Sequence, residues 1–313
     1  MLRLRHSLAA ACLTVPLSLP VAAAVPDVVV SIKPLHSLAA RIMEGVGEPT
    51  LLVAGGASLH SFSLKPSQAA ALEEAELVLW VGPGLESFLH EPLESLSGEA
   101  RVLEAMELPG IELLPARLGG SWEGHADDHE AEEGEEHAHD EGMDGHLFLD
   151  IGNAVTIAEA LATALSELDA EHAETYAANA TALRAELESL DRELAAMLAP
   201  VGERPFVVFH DAYQYFEVRY GLTALGSITV SPEQPPGARR LAEIREKIES
   251  LQAVCVFAEP GFEPALVETV IEGTAARSGA LDPEGIALAP GPGHYAELLH
   301  GLAQSLTDCL STP

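Results

Sequence analysis

The sequence predicts an α/β protein of two lobes, each with a mainly parallel sheet flanked by helices, joined by one long backbone helix. Three observations support this fold class. Short apolar runs alternate with helical segments early in the chain, the same alternation returns near its end, and one long helical segment separates the two series. Alternation of strand and helix is typical of βαβ units and therefore of parallel sheets.

The first 24 residues have the composition of a secretory signal. Arg3 and Arg5 precede an apolar run from Leu8 to Val21, and Ala22–Ala24 follow it. The run is shorter than the roughly 20 apolar residues that a membrane span needs. We therefore predict that residues 1–24 are cleaved, that the mature chain reaches the periplasm, and that it does not insert stably into the membrane.

The first lobe is predicted to span residues 25–170. Its apolar runs predict buried strands, and its amphipathic segments predict helices after two of them. The predicted strands are 27–32, 49–53 and 77–81, and the predicted helices are 33–43, 67–74 and 150–169. Parallel sheets of this kind bind ligands in the loops that follow their strands.

A linking helix is predicted over residues 171–200. Apolar side chains recur there at spacings of three and four, which defines one apolar stripe. The stripe consists of Tyr176, Ala180, Leu183, Leu187, Leu190, Leu194 and Met197. At 1.5 Å per residue such a helix extends roughly 40 Å, about the diameter of a small domain.

The second lobe is predicted to span residues 201–313, with a second βα series. Strands are predicted at 206–209 and 254–258, and helices at 240–251, at 264–277 and from about residue 295. Removal of the signal leaves two cysteines, Cys255 and Cys309. In an oxidising compartment we expect them to form a disulfide, which by loop entropy contributes roughly 4 kcal/mol.

The formal net charge of −33 indicates which partners the chain binds. Such a surface repels nucleic acid and attracts cations. We expect a monomer with no nucleic-acid partner.

The most unusual segment is a loop rich in histidine and acidic residues at 121–145. It holds eleven carboxylates between Glu123 and Asp144, no Lys or Arg, and the histidines His125, His129, His137 and His139. Such a segment has too little apolar surface to fold, so we predict disorder. Its composition favours auxiliary metal binding, with a solvated acidic loop as the alternative.

Three further histidines occupy comparable places. His60 follows the second predicted strand, His146 ends the acidic loop, and His210 follows the strand at 206–209. Imidazoles that converge from separate strand ends can form a three-nitrogen zinc site. Asp282 is a candidate fourth ligand, although Asp before Pro283 also caps turns; water or a loop side chain could take the position instead.

These residues, with the motifs around them, resemble those of a known family. The chain resembles the metal-binding receptors of bacterial ABC importers, in the zinc and manganese class, and most closely the zinc members. The matching motifs are Ser31–Leu35, 56–67, Leu79–Pro83, Phe209–Tyr213, Phe257–Pro260 and Leu281–Pro283. Departures are Leu59, beside the first histidine, and Gly145, where Pro is frequent.

The resemblance implies a receptor, not an enzyme, that captures Zn²⁺ in the cleft between the lobes and delivers it to an ABC permease in the membrane. It implies His60 and His146 as ligands from the first lobe, with His210 and Asp282 from the second. One competing hypothesis is a manganese receptor of the same class, which is expected to have Glu where His210 stands; nitrogen ligands favour zinc. A zinc hydrolase and a periplasmic metal buffer without a transport partner are two further hypotheses.

Overall fold

A computed structural model of the protein describes residues 25–55, 62–117, 142–229, 236–260, 262 and 264–311. Within these ranges the chain forms two four-stranded sheets, in which every pairing between strands is parallel. Helices flank both sheets, and a long helix lies between the two series in sequence. The predicted two-lobed α/β fold is thereby confirmed.

The first sheet contains β1 (Val28–Val30), β2 (Thr50–Leu51), β3 (Leu77–Trp80) and β4 (Arg101–Glu104), in the order β2-β1-β3-β4. Its helices are α1 (Lys33–Ile42), α2 (Pro66–Glu74) and α3 (Ser87–Leu96). All residues of β1 and β3 are buried, as expected for central parallel strands that are covered on both faces.

Two long helices follow, α4 (Ile151–Leu168) and α5 (Ala173–Leu198). The side chain of Asp150 caps α4 by accepting from the backbone N–H of Asn153 at 2.8 Å. The predicted stripe of α5 is buried from Tyr176 to Leu194, but Leu198 rather than Met197 completes it. The lobe boundaries at residues 170 and 200 stay predictions.

The second sheet contains β5 (Phe206–Val208), β6 (Ala224–Ser227), β7 (Cys255–Ala258) and β8 (Arg277–Ala280), in the order β6-β5-β7-β8. Its helices are α6 (Gln214–Tyr220), α7 (Ala238–Ser250) and α8 (Pro264–Ile271). The strand order repeats that of the first sheet. In both sheets the order reverses between the first and third strands, and ligands of open α/β sheets bind at the carboxyl ends of such strands.

The helix predicted over 264–277 is wrong in its second half. α8 ends at Ile271, and Arg277–Ala280 is the edge strand β8. Gly273 adopts a φ of +82°, a left-handed conformation that ends helices and that a residue with a side chain adopts only with strain. The elements β4, β6, α3 and α6 were not predicted: β4 and β6 are only partly buried and lack a continuous apolar run, α6 has only seven residues, and α3 is interrupted by Pro92.

The last helix, α9 (His294–Leu310), packs against α1 and α5 and also contacts the edge strand β8. Cys309 on this helix forms the predicted disulfide with Cys255 on β7. Among the helices of the described ranges, none has the length and apolar character needed to cross a membrane.

Candidate metal centre

His146 is fixed by Asp144, two residues earlier in the chain. Both residues are buried, at 6% exposure each. The backbone N–H of His146 donates to Oδ1 of Asp144 at 2.9 Å, and ring Nδ1 lies 2.8 Å from the same oxygen. Burial acts to raise the pKa of Asp144, but His146 and Arg117 lower it below its ordinary value. An ionised Asp144 makes Nδ1 the protonated ring nitrogen, so Nε2 of His146 presents its lone pair.

The predicted loop at 121–145 therefore ends earlier than its composition indicated. Asp144 and Gly145 are buried. A Cβ at Gly145 would lie 2.7 Å from Cβ of Leu85 and 3.1 Å from its backbone nitrogen. This close approach explains why a residue with no side chain is found at 145 in this chain.

His210 is fixed in the same way by Glu259, from a different part of the chain. His210 follows β5 and Glu259 follows β7, which are neighbouring parallel strands, so their carboxyl ends adjoin. The backbone N–H of His210 donates to Oε1 of Glu259 at 3.2 Å, and ring Nδ1 lies 2.6 Å from Oε2. Burial acts to lower the pKa of His210, but Glu259 together with Glu284 and Asp211 raises it. Nδ1 again holds the proton, which places the lone pair of the ring on Nε2.

His146 precedes α4 and His210 follows β5 of the second sheet, yet their two imidazoles lie next to each other. Their ring centroids are 5.4 Å apart, and the ring planes are inclined at 62°. Two imidazoles that bind one tetrahedral zinc through Nε2 at about 2.1 Å have ring centres roughly 5 Å apart. The separation of His146 and His210 therefore matches that of two ligands of a single ion.

The other predicted histidine ligands lie outside the described residues. His60 falls within 56–61, and His125, His129, His137 and His139 fall within 118–141. Among the residues that the structure describes, no group of three His, Cys, Asp or Glu side chains is arranged to hold a metal. The structure thus brings together two of the predicted nitrogen ligands.

Asp282 lies just beyond the carboxyl end of β8, at the same edge of the second sheet as His210, because β5, β7 and β8 are parallel. Its Oδ2 accepts from the backbone N–H of Ala287 at 3.3 Å, which is the turn-capping role expected of an Asp before Pro. In the described part of the chain its buried Oδ1 has no hydrogen-bond partner. One oxygen of Asp282 therefore stabilises the turn, while the other remains able to act as a ligand.

Two further carboxylates near this site were not predicted from the sequence. Glu284 follows Asp282 by two residues, and burial, opposed by His210 and reinforced by Asp282 and Glu259, raises its pKa to about 8. Glu86 is fully buried beyond β3, and its Oε2 accepts from the backbone N–H of Val81 at 2.6 Å. Burial raises the pKa of Glu86 to about 7. The spacing of Glu284 from Asp282 was the available signal for the first residue; nothing local indicated the second.

An ion-pair network beside the histidines joins Arg117 to two carboxylates that follow His210 in the chain. Arg117 donates through Nε to Oδ2 of Asp211 at 2.8 Å and through Nη2 to Oδ1 of the same carboxylate. Its guanidinium also donates to both oxygens of Glu217, at 2.8 and 3.1 Å. The hydroxyl of Tyr215 donates to the backbone oxygen of Asp144 at 2.9 Å. The segment before His146 and the segment after His210 are therefore held together directly.

Comparison with known proteins is consistent with this geometry. Residues 28–309 match the family model described as zinc-uptake complex component A, periplasmic. The high-affinity zinc uptake system protein ZnuA of Brucella suis biovar 1 (strain 1330) is 47% identical over 307 residues, covering 91% of each chain. The protein of the same name from Yersinia pestis is 38% identical over 297 residues, covering 90% of this chain and 91% of the relative.

Comparison with solved structures agrees with the family match. The crystal structure of a ZnuA deletion mutant plus bound zinc superposes with a TM-score of 0.75 at 27% identity, covering 93% of this chain and 100% of that one. The family match extends over most of the chain, and the identity to curated relatives is high across nine-tenths of it. The chain belongs to the ZnuA family of periplasmic zinc-uptake components.

Proposed function

We propose that the protein is a periplasmic receptor that captures Zn²⁺ in the cleft between its lobes and delivers it to an ABC permease. In this proposal residues 1–24 are the cleaved export signal, residues 25–170 and 201–313 form the lobes, and 171–200 links them. Zinc is the cargo rather than a resident cofactor. The relatives named as high-affinity zinc uptake proteins support the class of cargo.

The observation that carries the proposal is the pair His146 and His210. Their rings lie 5.4 Å apart although they belong to different lobes. Each Nδ1 is engaged by a buried carboxylate, Asp144 or Glu259, which orients Nε2 as a ligand. We propose that His60 supplies a third nitrogen and Asp282 an oxygen.

The arrangement also explains how a tight site can release its ion. Ligands that are divided between two lobes bind the metal only when the lobes are correctly placed, so a small relative movement weakens all of them together. Two or three imidazoles favour zinc, whereas a site dominated by carboxylates suits manganese. The nitrogen content of the site therefore supports zinc over manganese.

A hydrolase is the competing function from another class. It needs a general base beside the metal, and Glu259 is already engaged by the ring and backbone of His210. The transport relatives favour a receptor. Absence of turnover on a panel of ester, peptide and phosphate substrates, with zinc bound in a one-to-one ratio, supports the receptor.

The direct test is a zinc titration of the metal-free protein by chelator competition. His60→Ala, His146→Ala and His210→Ala should each weaken the tight site by a factor of one hundred or more, on the order of 3 kcal/mol. His172→Ala is the matched control, because His172 also pairs with a carboxylate, Asp169 at 2.6 Å, but stands at the start of α5 rather than after a strand. If any of these three variants binds zinc with wild-type affinity, the replaced histidine is not a ligand.

Delivery to a permease needs its own experiment. A strain that lacks the protein should grow poorly under chelation and recover when zinc alone is added. Complementation by the His172→Ala gene but not by the His210→Ala gene would link growth to the site. Normal growth of the deletion strain under chelation would instead support a metal buffer.

A further inference from the structure

Lys33 is a buried lysine of the first lobe whose bonding partners lie in the second. It is the first residue of α1, and it is only 6% exposed. Its ammonium group donates to the backbone oxygen of Ile286 at 2.8 Å and of Leu288 at 2.9 Å, with that of Gly285 at 3.5 Å. These carbonyls belong to the turn that follows Asp282.

The chemistry of the contact makes it specific. A lysine ammonium has three N–H donors and no acceptor, and it is costly to bury unless those donors are used. Within the described ranges Lys33 forms no ion pair, so the carbonyls are its compensation. An apolar side chain at this position would leave those carbonyls without this donor.

The same turn holds the carboxylate of Asp282. The residue between the two carbonyls that Lys33 binds most closely is Ala287, and its backbone N–H donates to Oδ2 of Asp282 at 3.3 Å. Lys33 therefore binds the carbonyl oxygen of the peptide group between Ile286 and Ala287, and the N–H of that same peptide group donates to Asp282. A shift of the first lobe at Lys33 moves the peptide group that orients the carboxylate.

A second contact of α1 reinforces this arrangement. Ser37 lies one turn after Lys33, and its Oγ donates to the backbone oxygen of Pro292 at 3.0 Å. The same Oγ accepts from the backbone N–H of Tyr295 at 3.0 Å. On the other side of the turn, ring Nε2 of His294 lies 3.0 Å from the backbone oxygen of Glu284. The turn is thus held between α1 and α9.

We propose that Lys33 is a positioning residue for the cargo: it holds the turn of Asp282 against the first lobe and thereby slows the release of zinc. The inference rests on the proposed function, because it takes Asp282 to be a zinc ligand. Separation of the lobes at this point requires the Lys33 contacts to break first. Lys33 itself does not touch the ion.

The test compares Lys33→Met with Lys247→Met in the full mature protein. Methionine keeps most of the apolar stem and removes the ammonium. Lys247 is the matched control, since it donates to the backbone oxygen of Leu225 at 3.1 Å but makes that contact within the second lobe. With zinc as the probe and a chelator in excess, Lys33→Met should release zinc about tenfold faster or more, with a nearly unchanged association rate. Lys247→Met should match the wild type.

A double-mutant cycle distinguishes positioning from a general loss of stability. If Lys33 acts through Asp282, then Lys33→Met should have little further effect on zinc affinity once Asp282→Asn is present. Additive effects of the two changes would overturn the proposal. The spectrum of bound Co²⁺ gives an independent readout, because Lys33→Met and Asp282→Asn should alter the ligand-field bands in the same direction.

The remaining outcomes separate this inference from the proposed function. A wild-type protein that binds no zinc overturns both. A wild-type protein with a tight site, together with unchanged zinc release in Lys33→Met, overturns only the role of Lys33. If Lys33→Met does not fold by circular dichroism, Lys33→Gln takes its place: its amide is neutral and one bond closer to the backbone than the ammonium, so it weakens the contacts with the carbonyls, and zinc release should again be faster than in the wild type.

Discussion

Nδ1 of His210 lies 2.6 Å from Oε2 of Glu259, and the backbone N–H of His210 donates to the other oxygen of that carboxylate at 3.2 Å. One buried side chain therefore fixes both the backbone and the ring of a candidate ligand. Asp144 does the same for His146. The site is organised by two carboxylates that need not touch the metal.

Replacing Glu259 by Gln should weaken zinc binding by about ten- to one-hundredfold, the usual effect of losing a partner behind a ligating histidine. The amide can still accept one hydrogen bond but no longer makes the imidazole more basic. Chelator competition measures the change. Asp169→Asn, which alters the equivalent partner of His172, should leave zinc affinity unchanged. An unchanged affinity in Glu259→Gln would show that the carboxylate has a structural role alone.

Replacing Arg117 by Met should destabilise the protein by about 2–4 kcal/mol, since breaking a largely buried pair leaves uncompensated charge. The change deprives Asp211 and Glu217 of their common partner, and the Glu217 side chain is only 6% exposed. Urea unfolding of the metal-free protein measures the loss.

The control for Arg117 is Arg239→Met. Arg239 pairs with Glu243 at 2.8 Å, but its side chain is 94% exposed, so its removal should cost less than about 1 kcal/mol. Zinc affinity should also fall in Arg117→Met and not in the control, because Arg117 joins the segments next to His146 and His210. Equal effects of the two substitutions would contradict a role for the network between the lobes.

The buried carboxyl group of Glu86 should make the stability of the folded protein depend on pH. Burial raises its pKa in the folded state to about 7, above the ordinary value of 4.5. A raised carboxyl pKa means that the folded state retains a proton that the unfolded state has lost. The contribution of Glu86 to the free energy of unfolding is therefore fully present below pH 4.5, and it is lost as the pH rises through about 7.

The Glu86→Gln variant removes this dependence. Relative to the wild type, its free energy of unfolding should increase with pH by on the order of 3 kcal/mol, given 1.36 kcal/mol for each unit of pKa shift. Urea unfolding of both metal-free proteins from about pH 4 to pH 8 measures the difference. Two curves that stay parallel across this range would mean that Glu86 is ionised without penalty.

Much of the fold followed from periodicity, because alternating apolar runs and one long amphipathic helix are local properties. The histidines also had a local signal, since each follows or precedes a predicted strand or helix. The partners of the histidines differ in this respect. Asp144 lies two residues from His146, whereas Glu259 is 49 residues from His210, and only the pairing of β5 with β7 brings it there. The contacts of Arg117 and Lys33 likewise depend on how the lobes pack, which no sequence pattern records.

Because of the loop rich in histidine and acidic residues, we expect a zinc titration of the whole protein to show two classes of site, several weak and one tight. Deletion of residues 119–141 should remove weak sites and leave one tight site. The deletion has to stop before residue 142, because Asp144 orients His146 and a bridge pairs Pro115 with Met143. A longer deletion that includes Asp144 should damage the tight site as well. Isothermal titration with zinc distinguishes the two classes of site by their affinity.

A full-length variant in which His125, His129, His137 and His139 are replaced by Asn is the control for the altered chain length. If the weak sites belong to the imidazoles, this variant should lose them as the deletion does, because Asn is a much poorer zinc ligand than histidine. Weak sites that persist in it would assign them to the acidic side chains. Loss of the tight site in either variant would mean that the loop, and not the pair His146 and His210, supplies the ligands that hold zinc most strongly.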